Sequence, residues 1–555
     1  MQNLPELSAN TGDGRARAMA LGQHGTTQAS PTSIVTYLSR GRLLIVGDRE
    51  PAISAARRLG ESLRCTLLMP GDADSKSLRI EGLPAIEGGR PELAGNLGNF
   101  ELRIEADADG EQAPAEPQQA QVFDLVLDMS TPRLIDYPVP PPGYYPVGSD
   151  TEALERALAT LPEMTGEFEK PKFFNYDPNI CAHGNSGIEG CRRCIDACPT
   201  VAIVSMGDKV EVNPYLCQGG GSCVVACPSG AMTYAFPTVS DLLRHVRELL
   251  AAYREAGGES PGLLFYDAHS RGAIFDEMLT QLPEHTLPVE VEEVGSVGID
   301  AWMACLAYGA DSVILSTTDG TPRQVLGELE AQLGFATAIL DGMGFDGGHL
   351  RMINVSRGDA IEEVADLPRG VFQKPGRFTA PNEKRMILRL AIDHLYAQAP
   401  SSRRSIPLPD GAPFGELKID KNACTLCMGC VSVCPTAALS AGGDLPQLKF
   451  VEWNCVQCGM CEIACPEDAL TKSPRFHFDT EARQKPRILN EEQPFCCISC
   501  GKPFATQSVL DVMMKKLEGH WMFQDEVSRR RLQMCDHCRV KDMFRSESGA
   551  GGPSH

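Results

Sequence analysis

The placement of the cysteines constrains the fold of this chain more than any other feature of its sequence. Of the 22 cysteines in 555 residues, 20 fall in three groups, at 181–227, 424–465 and 496–538. Disulfide frameworks distribute their partners along a chain, whereas metal sites gather ligands at fixed short spacings. The grouping therefore predicts a protein built around metal centres. Only Cys65 and Cys305 stand alone, and both lie within apolar patterns that predict core positions.

The second group repeats the spacing that bacterial two-cluster ferredoxins use. The runs CTLCMGCVSVCP and CVQCGMCEIACP each read C-x2-C-x2-C-x3-C-P. In this pattern three thiolates hold one cluster, and the fourth, before the proline, reaches the other cluster. The sequence therefore predicts one [4Fe-4S] cluster on Cys424, Cys427, Cys430 and Cys465. It predicts a second on Cys455, Cys458, Cys461 and Cys434. The alternative is a pair of zinc sites built from the same cysteines.

The first group begins with a run in which one cysteine is displaced. In ICAHGNSGIEGCRRCIDACP a glycine-rich insertion separates the first cysteine from the other three, and we expect it to loop out. Its histidine, His183, is an alternative ligand to Cys181. The spacing predicts a third [4Fe-4S] cluster on Cys181, Cys191, Cys194 and Cys227.

The next run, CQGGGSCVVACP, has Gly220 where a cysteine is expected. Three thiolates remain for the fourth site, on Cys198, Cys217 and Cys223. They suit a [3Fe-4S] cluster or a [4Fe-4S] cluster with one corner open to solvent or to an exogenous ligand. A degenerate, empty site is the third alternative.

The segments PTVAIVSMGDKVEVNPYLC and PTAALSAGGDLPQLKFVEWNC each predict a short helix, a strand, a turn and a strand. Units of this size bury too little apolar surface to fold firmly by themselves. We therefore expect cluster binding to supply most of their folding free energy, so that the apoprotein is unfolded there.

The third group consists of two C-x2-C pairs in FCCISCGKPF and MCDHCRVKDMF. Two such pairs commonly close a tetrahedral structural zinc site. The sequence predicts that site on Cys497, Cys500, Cys535 and Cys538, with Cys496 left spare. Another iron–sulfur cluster and free redox-active thiols are the alternatives. The intervening SVLDVMMKKL and DEVSRRRLQM have helical periodicity, which indicates a helical pair joined by the site.

Two further regions have α/β patterns. RGRLLIVGDREPAISAARRLGESLRCTLLMPG predicts a strand, a helix and a second strand ending near Met69. Its turn, VGDREP, lacks the G-x-G-x-x-G glycines of dinucleotide-binding folds, which favours a scaffold over a nucleotide site. The polar segment ADADGEQAPAEPQQAQ predicts a mobile loop. Residues 261–356 alternate four strands with helices, which predicts a parallel sheet covered by helices.

Together these patterns predict a multidomain chain of mixed α/β and α+β class. Two bacterial dicluster ferredoxin modules flank a parallel α/β domain, with an N-terminal β-α-β domain and a C-terminal zinc-knuckle helical domain. The predicted division is 1–34, a disordered N-terminus; 35–150, a Rossmann-like α/β domain; 171–237, the first ferredoxin module; 238–365, the parallel α/β domain; 366–415, a helix and linker; 416–475, the second ferredoxin module; 490–545, the four-cysteine zinc-knuckle domain; and 546–555, a tail.

Composition limits the partners. A formal net charge of −22 argues against nucleic acid or an anionic membrane, because both attract basic surfaces. No apolar run is long enough to predict a membrane span. The N-terminus lacks the apolar core of a secretory signal, so we expect a cytoplasmic protein.

The phrase LPVEVEEVGSVGIDAWMACLAYGADSVIL resembles the delta-subunit domain of methyl-viologen-reducing hydrogenases, which also ends heterodisulfide-reductase A-type proteins. Relatives carry cluster cysteines after the strands, where this chain has FYDAHSRG and STTDGTPR. The resemblance therefore implies a docking or scaffolding role for residues 238–365 rather than a cluster.

The phrases GEFEKPKFFNYDPNICAHGNSGIEGC and CISCGKPF resemble multi-cluster 4Fe-4S ferredoxin-type proteins that accompany bacterial formate dehydrogenases. This resemblance implies a redox partner, either formate dehydrogenase or another electron carrier.

No nucleophile or acid–base pair stands out, and electron transfer as an oxidoreductase subunit is the favoured function. The alternatives are an accessory, maturation or redox-sensing factor for a molybdoenzyme, and an oxidoreductase whose active site is the open corner near Gly220.

Overall fold

The computed structural model of the chain describes residues 5, 7–25, 27, 29–105, 120–357, 360–372, 374–443 and 445–549. Helices and strands are mixed along these residues, as the predicted α/β class requires. None of the helices in the described residues is long and apolar enough to cross a membrane.

The N-terminal region is built on a mixed sheet. Strands β2 to β9 form this sheet in the order β7-β6-β5-β3-β2-β8-β9, with β4 paired to β5, while β1 pairs only with β10. The elements, in chain order, are α1 (Gly12–His24), β1 (Ile34–Ser39), β2 (Arg42–Val46), α2 (Arg49–Leu59), β3 (Arg64–Met69), β4 (Gly71–Ile80), β5 (Leu83–Asn96), β6 (Asn99–Glu105), β7 (Gln121–Phe123), β8 (Leu125–Asp128), β9 (Tyr144–Pro146), α3 (Thr151–Thr160) and β10 (Gly166–Pro171).

Strand β2 lies inside this sheet because residues 43–46 are apolar on both faces and fully buried. It pairs in parallel with β3 and β8, and α2 packs on the sheet through Ala52, Ala56 and Leu59. The predicted strand–helix–strand opening is confirmed over 42–69. The antiparallel extension through β5 and β6 was not predicted. Most of the predicted mobile loop, residues 106–119, lies outside the described residues.

The first module pairs its outer strands, β11 with β16, around two small hairpins and two short helices. Its elements are β11 (Phe174–Tyr176), β12 (Gly184–Asn185), β13 (Ile188–Glu189), α4 (Arg193–Asp196), β14 (Ile203–Ser205), β15 (Val210–Val212), α5 (Ser222–Ala226) and β16 (Met232–Tyr234). The predicted hairpin between the two cysteine runs is confirmed as β14–β15.

A four-stranded parallel sheet of order β18-β17-β19-β20 follows. Its elements and the two helices after it are α6 (Val239–Glu255), β17 (Gly262–Tyr266), α7 (Ala273–Thr280), β18 (Thr286–Glu290), α8 (Ile299–Ala307), β19 (Ser312–Thr317), α9 (Arg323–Met343), β20 (Leu350–Asn354), α10 (Ala360–Ala365) and α11 (Lys384–Tyr396). The four predicted parallel strands are present, and Cys305 on α8 is fully buried, as predicted. Helix α11 lies in the segment 366–415, which was predicted to be a helix and linker, and it packs into this domain's core.

The prediction that residues 1–34 are disordered is wrong over 12–24. Helix α1 packs against α6, with Ala16 and Ala20 fully buried in the core of the parallel domain. The side chain of Arg17, 1% exposed, donates to the carbonyl oxygens of Ser8, Pro283 and Thr286. Sequence periodicity missed this helix because its buried face consists of small residues and one arginine rather than large apolar side chains.

The second module and the C-terminal domain complete the chain. The second module again pairs an early strand, β22, with a late one, β25, around the hairpin β23–β24. The elements are β21 (Ser405–Pro407), β22 (Gly415–Ile419), α12 (Gly429–Ser432), β23 (Leu439–Ala441), β24 (Gln447–Phe450), α13 (Met460–Ile463), β25 (Leu470–His477), α14 (Thr480–Gln484), β26 (Arg487–Glu491), β27 (Pro494–Cys496), β28 (Pro503–Thr506), α15 (Gln507–Lys516), α16 (Glu526–Arg531) and α17 (Asp536–Gly549). The predicted helical segments near 508–517 and 525–534 are confirmed as α15 and α16.

Candidate metal centres

The second module contains two small cavities, each lined by four cysteines. One cavity has the side chains of Cys424, Cys427, Cys430 and Cys465 in its wall. The other has those of Cys434, Cys455, Cys458 and Cys461. These are the two interleaved sets that the spacing predicts, in which the fourth cysteine of each run joins the first three of the other. The structure therefore brings the predicted ligands of both sites together.

The backbone between these cysteines explains how a short loop can surround a cavity. Leu426 and Met428 have positive φ angles of 55° and 62°, and the matching residues of the second run, Gln457 and Gly459, have 55° and 84°. For a residue with a side chain, this left-handed conformation costs roughly 1–2 kcal/mol. Such strain persists only where the surroundings impose it, and it concentrates at functional sites.

The run with the missing cysteine has positive φ angles at the same two positions. Gly219 and Gly221 have φ angles of 87° and 71°, at the positions that correspond to Leu426 and Met428. Gly220 stands between them, at the position of Cys427. The ligand loop has therefore kept its path although one thiolate is absent.

Of these three glycines, only Gly220 has room for a side chain. A Cβ on Gly219 would lie 3.0 Å from the Phe173 ring, and a Cβ on Gly221 would clash with the backbone of Ser296. A Cβ on Gly220 would meet no protein atom within 4 Å. Steric crowding explains the two flanking glycines and does not explain Gly220.

The insertion in the first run forms the hairpin β12–β13. The N–H of Cys191 donates to the carbonyl of Ala182 at 2.8 Å, which places the two ends of the insertion side by side. The pKa of Cys194 is raised to about 12, first by burial and then by Cys227, Cys191 and Cys181. The four cysteines predicted to share a site thus lie close enough to influence one another.

His183 does not serve as the alternative ligand. Its ring nitrogens lie 2.8 Å from the Cys191 carbonyl oxygen and 2.7 Å from the Ser205 hydroxyl, and the residue is 1% exposed. Both nitrogens are engaged, so the histidine holds the base of the hairpin and leaves Cys181 as the candidate ligand.

Crowded buried thiols fit an iron–sulfur cluster well. Burial, followed by Cys424, Cys427 and Cys465, raises the pKa of Cys430 to about 12. Burial and then Cys217 and Cys198 raise the pKa of Cys223 well above its ordinary value. Several thiolates cannot coexist in so small a buried space without positive charge, and cluster iron would supply that charge. N–H groups also reach the sulfurs, as from Met232 to Cys227 at 3.3 Å.

The two modules contact each other through the insertion hairpin. The Asn185 side chain donates to the carbonyl of Ser432 at 3.1 Å, and a Cβ on Gly190 would lie 2.6 Å from the Cγ of Met460. Burial raises the pKa of Cys191 to about 11, and among the smaller contributions is Cys458 of the other module. Two of the four candidate sites therefore face each other across this contact.

Two consecutive buried cations join the modules a second time. At the start of α11, Lys384 donates its Nζ protons to the carbonyls of Val224 and Val225, at 3.0 and 2.6 Å, next to Cys227. Arg385 donates to the carbonyl of Cys455 at 3.4 Å, and its guanidinium lies 4.8 Å from the Trp453 ring centroid. Each cation lies beside a different module.

The sequence gives no sign of these two cations, nor of the half-buried Lys170, which donates to the carbonyl of Cys217 at 2.5 Å. Burial lowers the pKa of Lys170 to about 8, while Cys217 opposes that shift. A lysine or arginine outside a cysteine motif gives no sequence signal of this role, because only tertiary packing brings it to the site.

The C-terminal set is the most compact. Its four sulfur atoms all lie within 4.8 Å of one another, and they belong to Cys497, Cys500, Cys535 and Cys538. Thiolates around tetrahedral zinc stand about 3.8 Å apart, and the Sγ atoms of Cys500 and Cys535 are 3.8 Å apart. Burial raises the pKa of Cys497, but backbone N–H groups outweigh it and bring the pKa to about 6. Cys496 is exposed and lies outside the set, as predicted.

Comparison with known protein families agrees with this geometry. The 4Fe-4S dicluster domain family matches residues 174–228 and again residues 416–466. No curated protein matches the chain. The chain thus carries two ferredoxin-type dicluster modules, which support an iron–sulfur electron-transfer role.

Proposed function

We propose that this chain relays electrons through four iron–sulfur clusters between two redox partners. Three are [4Fe-4S] clusters with full cysteine ligation, and the fourth is a [3Fe-4S] or open-corner [4Fe-4S] cluster on Cys198, Cys217 and Cys223. The observation that carries the proposal is the direct packing of one module on the other, because it turns two separate carriers into one continuous path.

The path has a defined order. It begins at the three-cysteine site of the first module and continues to the other site of that module, which contains Cys191 and Cys194. This second site faces Cys458 of the second module across the hairpin contact. Within the second module, the path continues from the Cys458 cavity to the Cys427 cavity.

The ends of the path lie against different domains. At the first end, Gly221 packs on Ser296 of the parallel α/β domain. At the other end, Thr506 of the C-terminal domain donates to the carbonyl of Thr425, beside Cys424. The Lys516 ammonium also lies 2.8 Å from Glu467. We propose that the C-terminal domain holds a structural zinc and shapes the docking surface at this end.

The chain's net charge of −22 suits partners with basic docking surfaces. Formate dehydrogenase or another cytoplasmic electron carrier is the proposed partner, and the chain acts as an oxidoreductase subunit rather than as an enzyme by itself. Cluster potentials vary over several hundred millivolts with hydrogen bonding and exposure, so either direction of flow is compatible with this path.

Metal analysis of anaerobically purified protein tests the cluster content. We expect about 15 iron atoms with a [3Fe-4S] cluster at the fourth site, or about 16 with an open-corner [4Fe-4S] cluster. We also expect about one zinc per chain and EPR signals from both modules after reduction. Colourless protein that contains only zinc would exclude the relay.

The path itself is tested by Gly190→Gln, because a Cβ there would lie 2.6 Å from the Cγ of Met460 and 2.8 Å from the backbone oxygen of Ala182. Iron analysis of the variant checks that the contact with Ala182 leaves the first module loaded. We expect both modules to keep their clusters while electron transfer from the first module to the second slows by about tenfold or more. The matched control is Gly327→Gln, on an exposed face of α9 where a Cβ meets nothing within 4 Å. Stopped-flow absorbance with rapid-freeze EPR measures both rates, and equal rates in the two variants would refute the continuous path.

The competing function is a maturation or redox-sensing factor for a molybdoenzyme, which the three-cysteine site favours. Affinity purification of the partner enzyme separates the two. A relay subunit stays with the active enzyme in fixed stoichiometry, whereas a maturation factor is found only with the immature form.

A further inference from the structure

A cavity of about 430 Å³ lies where the first module meets the parallel α/β domain. The module contributes Pro199, Thr200, Gln218 and Gly220 to its wall. The opposite wall consists of residues that follow β17, β18 and β19, among them Asp267, Val294 and Thr318. This volume falls within the range of small-molecule sites in proteins.

The cavity lies where parallel sheets bind ligands. In the order β18-β17-β19-β20, the chain first moves from β17 to one side and then crosses to β19 on the other. Ligands of open α/β sheets bind outside the carboxyl ends of the strands at such a switch point, and flavin mononucleotide binds there in sheets of the 2-1-3-4-5 order. When β17 to β20 are numbered 1 to 4 along the chain, their order in the sheet is 2-1-3-4, which matches the first four strands of that fold.

The wall chemistry suits a neutral ring with polar edges. Its polar groups are mostly hydroxyls, which both donate and accept, and the apolar Val139, Val294, Val325 and Leu329 lie among them. The two carboxylates are already engaged. Asp267 accepts from the N–H of Val294 at 3.0 Å, and Glu293 lies 3.3 Å from His269.

One end of the cavity suits a phosphate group. The 21-residue helix α9 begins there, with Pro322 at its N-cap and no side-chain capping hydrogen bond. Thr318, Gly320 and Thr321 line the cavity immediately before it. Free N–H groups and hydroxyls at a helix N-terminus bind phosphate without any basic side chain.

The other end reaches the incomplete cluster site. Gly220 both lines the cavity and leaves open the ligand position that Cys427 and Cys458 occupy in the second module. A molecule in the cavity would therefore lie beside the uncapped corner of the Cys198, Cys217 and Cys223 cluster.

We propose that the cavity binds a flavin mononucleotide, with its phosphate on the 318–321 loop and its ring toward Gly220. The inference rests on the proposed relay and adds a flavin that exchanges electrons with the first cluster of the path. A reduced flavin, FMNH2, gives two electrons one at a time to two clusters and releases two protons to solvent, leaving FMN. The reverse sequence reduces FMN with two electrons and two protons. The site would thus couple a two-electron reactant to one-electron carriers.

Binding is tested by titrating the iron-loaded full chain with FMN under nitrogen and following flavin fluorescence. We expect one FMN per chain and an altered EPR signal from the three-cysteine cluster, with the signals of the second module unchanged. Riboflavin, which lacks the phosphate, should bind about tenfold more weakly.

The matched variants are Thr321→Glu and Thr321→Gln, at a partly exposed position whose hydroxyl accepts from the N–H of Thr318 and is lost in both variants. Both variants remove the Thr321 hydroxyl, but only the first places a carboxylate against the phosphate, so Thr321→Glu should weaken FMN binding by about tenfold or more relative to Thr321→Gln. Equal effects of the two variants, or equal binding of riboflavin and FMN, would overturn the phosphate assignment.

Failure of this inference is distinct from failure of the relay. Iron-loaded protein that dithionite reduces fully but that binds no FMN, or binds only NADH, overturns the flavin site and leaves the relay in place. Protein that holds no iron removes the relay, and this inference with it.

Discussion

At the scale of single residues, Gly220 determines how many cysteine ligands the fourth candidate site can offer. The glycines on either side are fixed by close neighbours, and the loop follows the path of the complete loops in the second module. The loop therefore keeps its shape without the fourth thiol, and the site offers three candidate ligands instead of four. A cluster with an open corner can exchange a ligand there, which a cluster held by four cysteines cannot.

We expect Gly220→Cys to convert this site to a cluster with four cysteine ligands. The Cβ has open space and the backbone needs no left-handed conformation, so the variant should fold as the parent does. Iron content should reach about 16 per chain, and any three-iron EPR signal in the oxidised protein should disappear. Gly220→Ala is the control, because it adds the Cβ without the sulfur. The same spectral change in the alanine variant would show that ligation is not its cause.

Lys384 is a second single residue that we expect to tune a cluster, in this case through its positive charge. It is buried beside Cys227, and a positive charge there stabilises the reduced, more negative cluster. We expect Lys384→Gln, which keeps a donor for the carbonyls, to lower the potential of the Cys194 cluster by about 60 mV, equivalent to a tenfold change in its reduction equilibrium. Lys384→Arg keeps the charge and should shift it much less. EPR-monitored redox titration measures both, and an unchanged potential in the glutamine variant would exclude the electrostatic role.

At the scale of elements, short segments with little apolar surface make the long-range contacts. The hairpin β12–β13 is an insertion within a ligand loop, yet it packs on the other module through Asn185 and Gly190. Helix α1 is similar, since it reaches residues 282–286 through Arg17. In both cases polar groups and small residues replace a hydrophobic stripe.

We expect Arg17→Met to release helix α1. The variant removes donors from several carbonyls that lie away from water, which costs roughly 1–3 kcal/mol for each group left unsatisfied. Hydrogen exchange over residues 12–24 should accelerate, while exchange in β17 and β19 changes little. The control is Arg15→Met on the exposed face of the same helix. Equal exchange in the two variants would show that Arg17 does not hold the helix.

The sequence predicted the features that depend on residues close together in the chain. Cysteine spacing grouped the ligands of the second module as the cavities group them, and the apolar runs at 43–46 and 313–315 lie in buried strands. The sequence could not show that α11 places Lys384 and Arg385 between the modules, since this depends on packing between segments far apart in the chain. Helix α1 was missed because its buried face consists of small residues and one arginine, which give no apolar periodicity.

At the scale of the whole molecule, the distribution of apolar core sets the order of unfolding. The parallel domain has a large buried core that includes α1, α6, α8, α9 and α11. Each module has a much smaller one, in which aliphatic residues pack directly against the candidate ligand cysteines. We therefore expect the modules to depend on their clusters for stability and the parallel domain to be independent of them.

We expect removal of iron to unfold the modules and spare the parallel domain. Anaerobic chelation of the clusters should abolish amide protection over 174–234 and 415–475, because the crowded thiols lose the positive charge that offsets their mutual repulsion. Strands β17 to β20 should keep their protection, and hydrogen exchange with mass spectrometry follows both regions in one experiment. Stripping zinc alone should deprotect only 494–549. Simultaneous loss of protection in the modules and in β17 to β20 would mean that the inter-module cations and α11 make the chain one cooperative unit, with the clusters stabilising all of it.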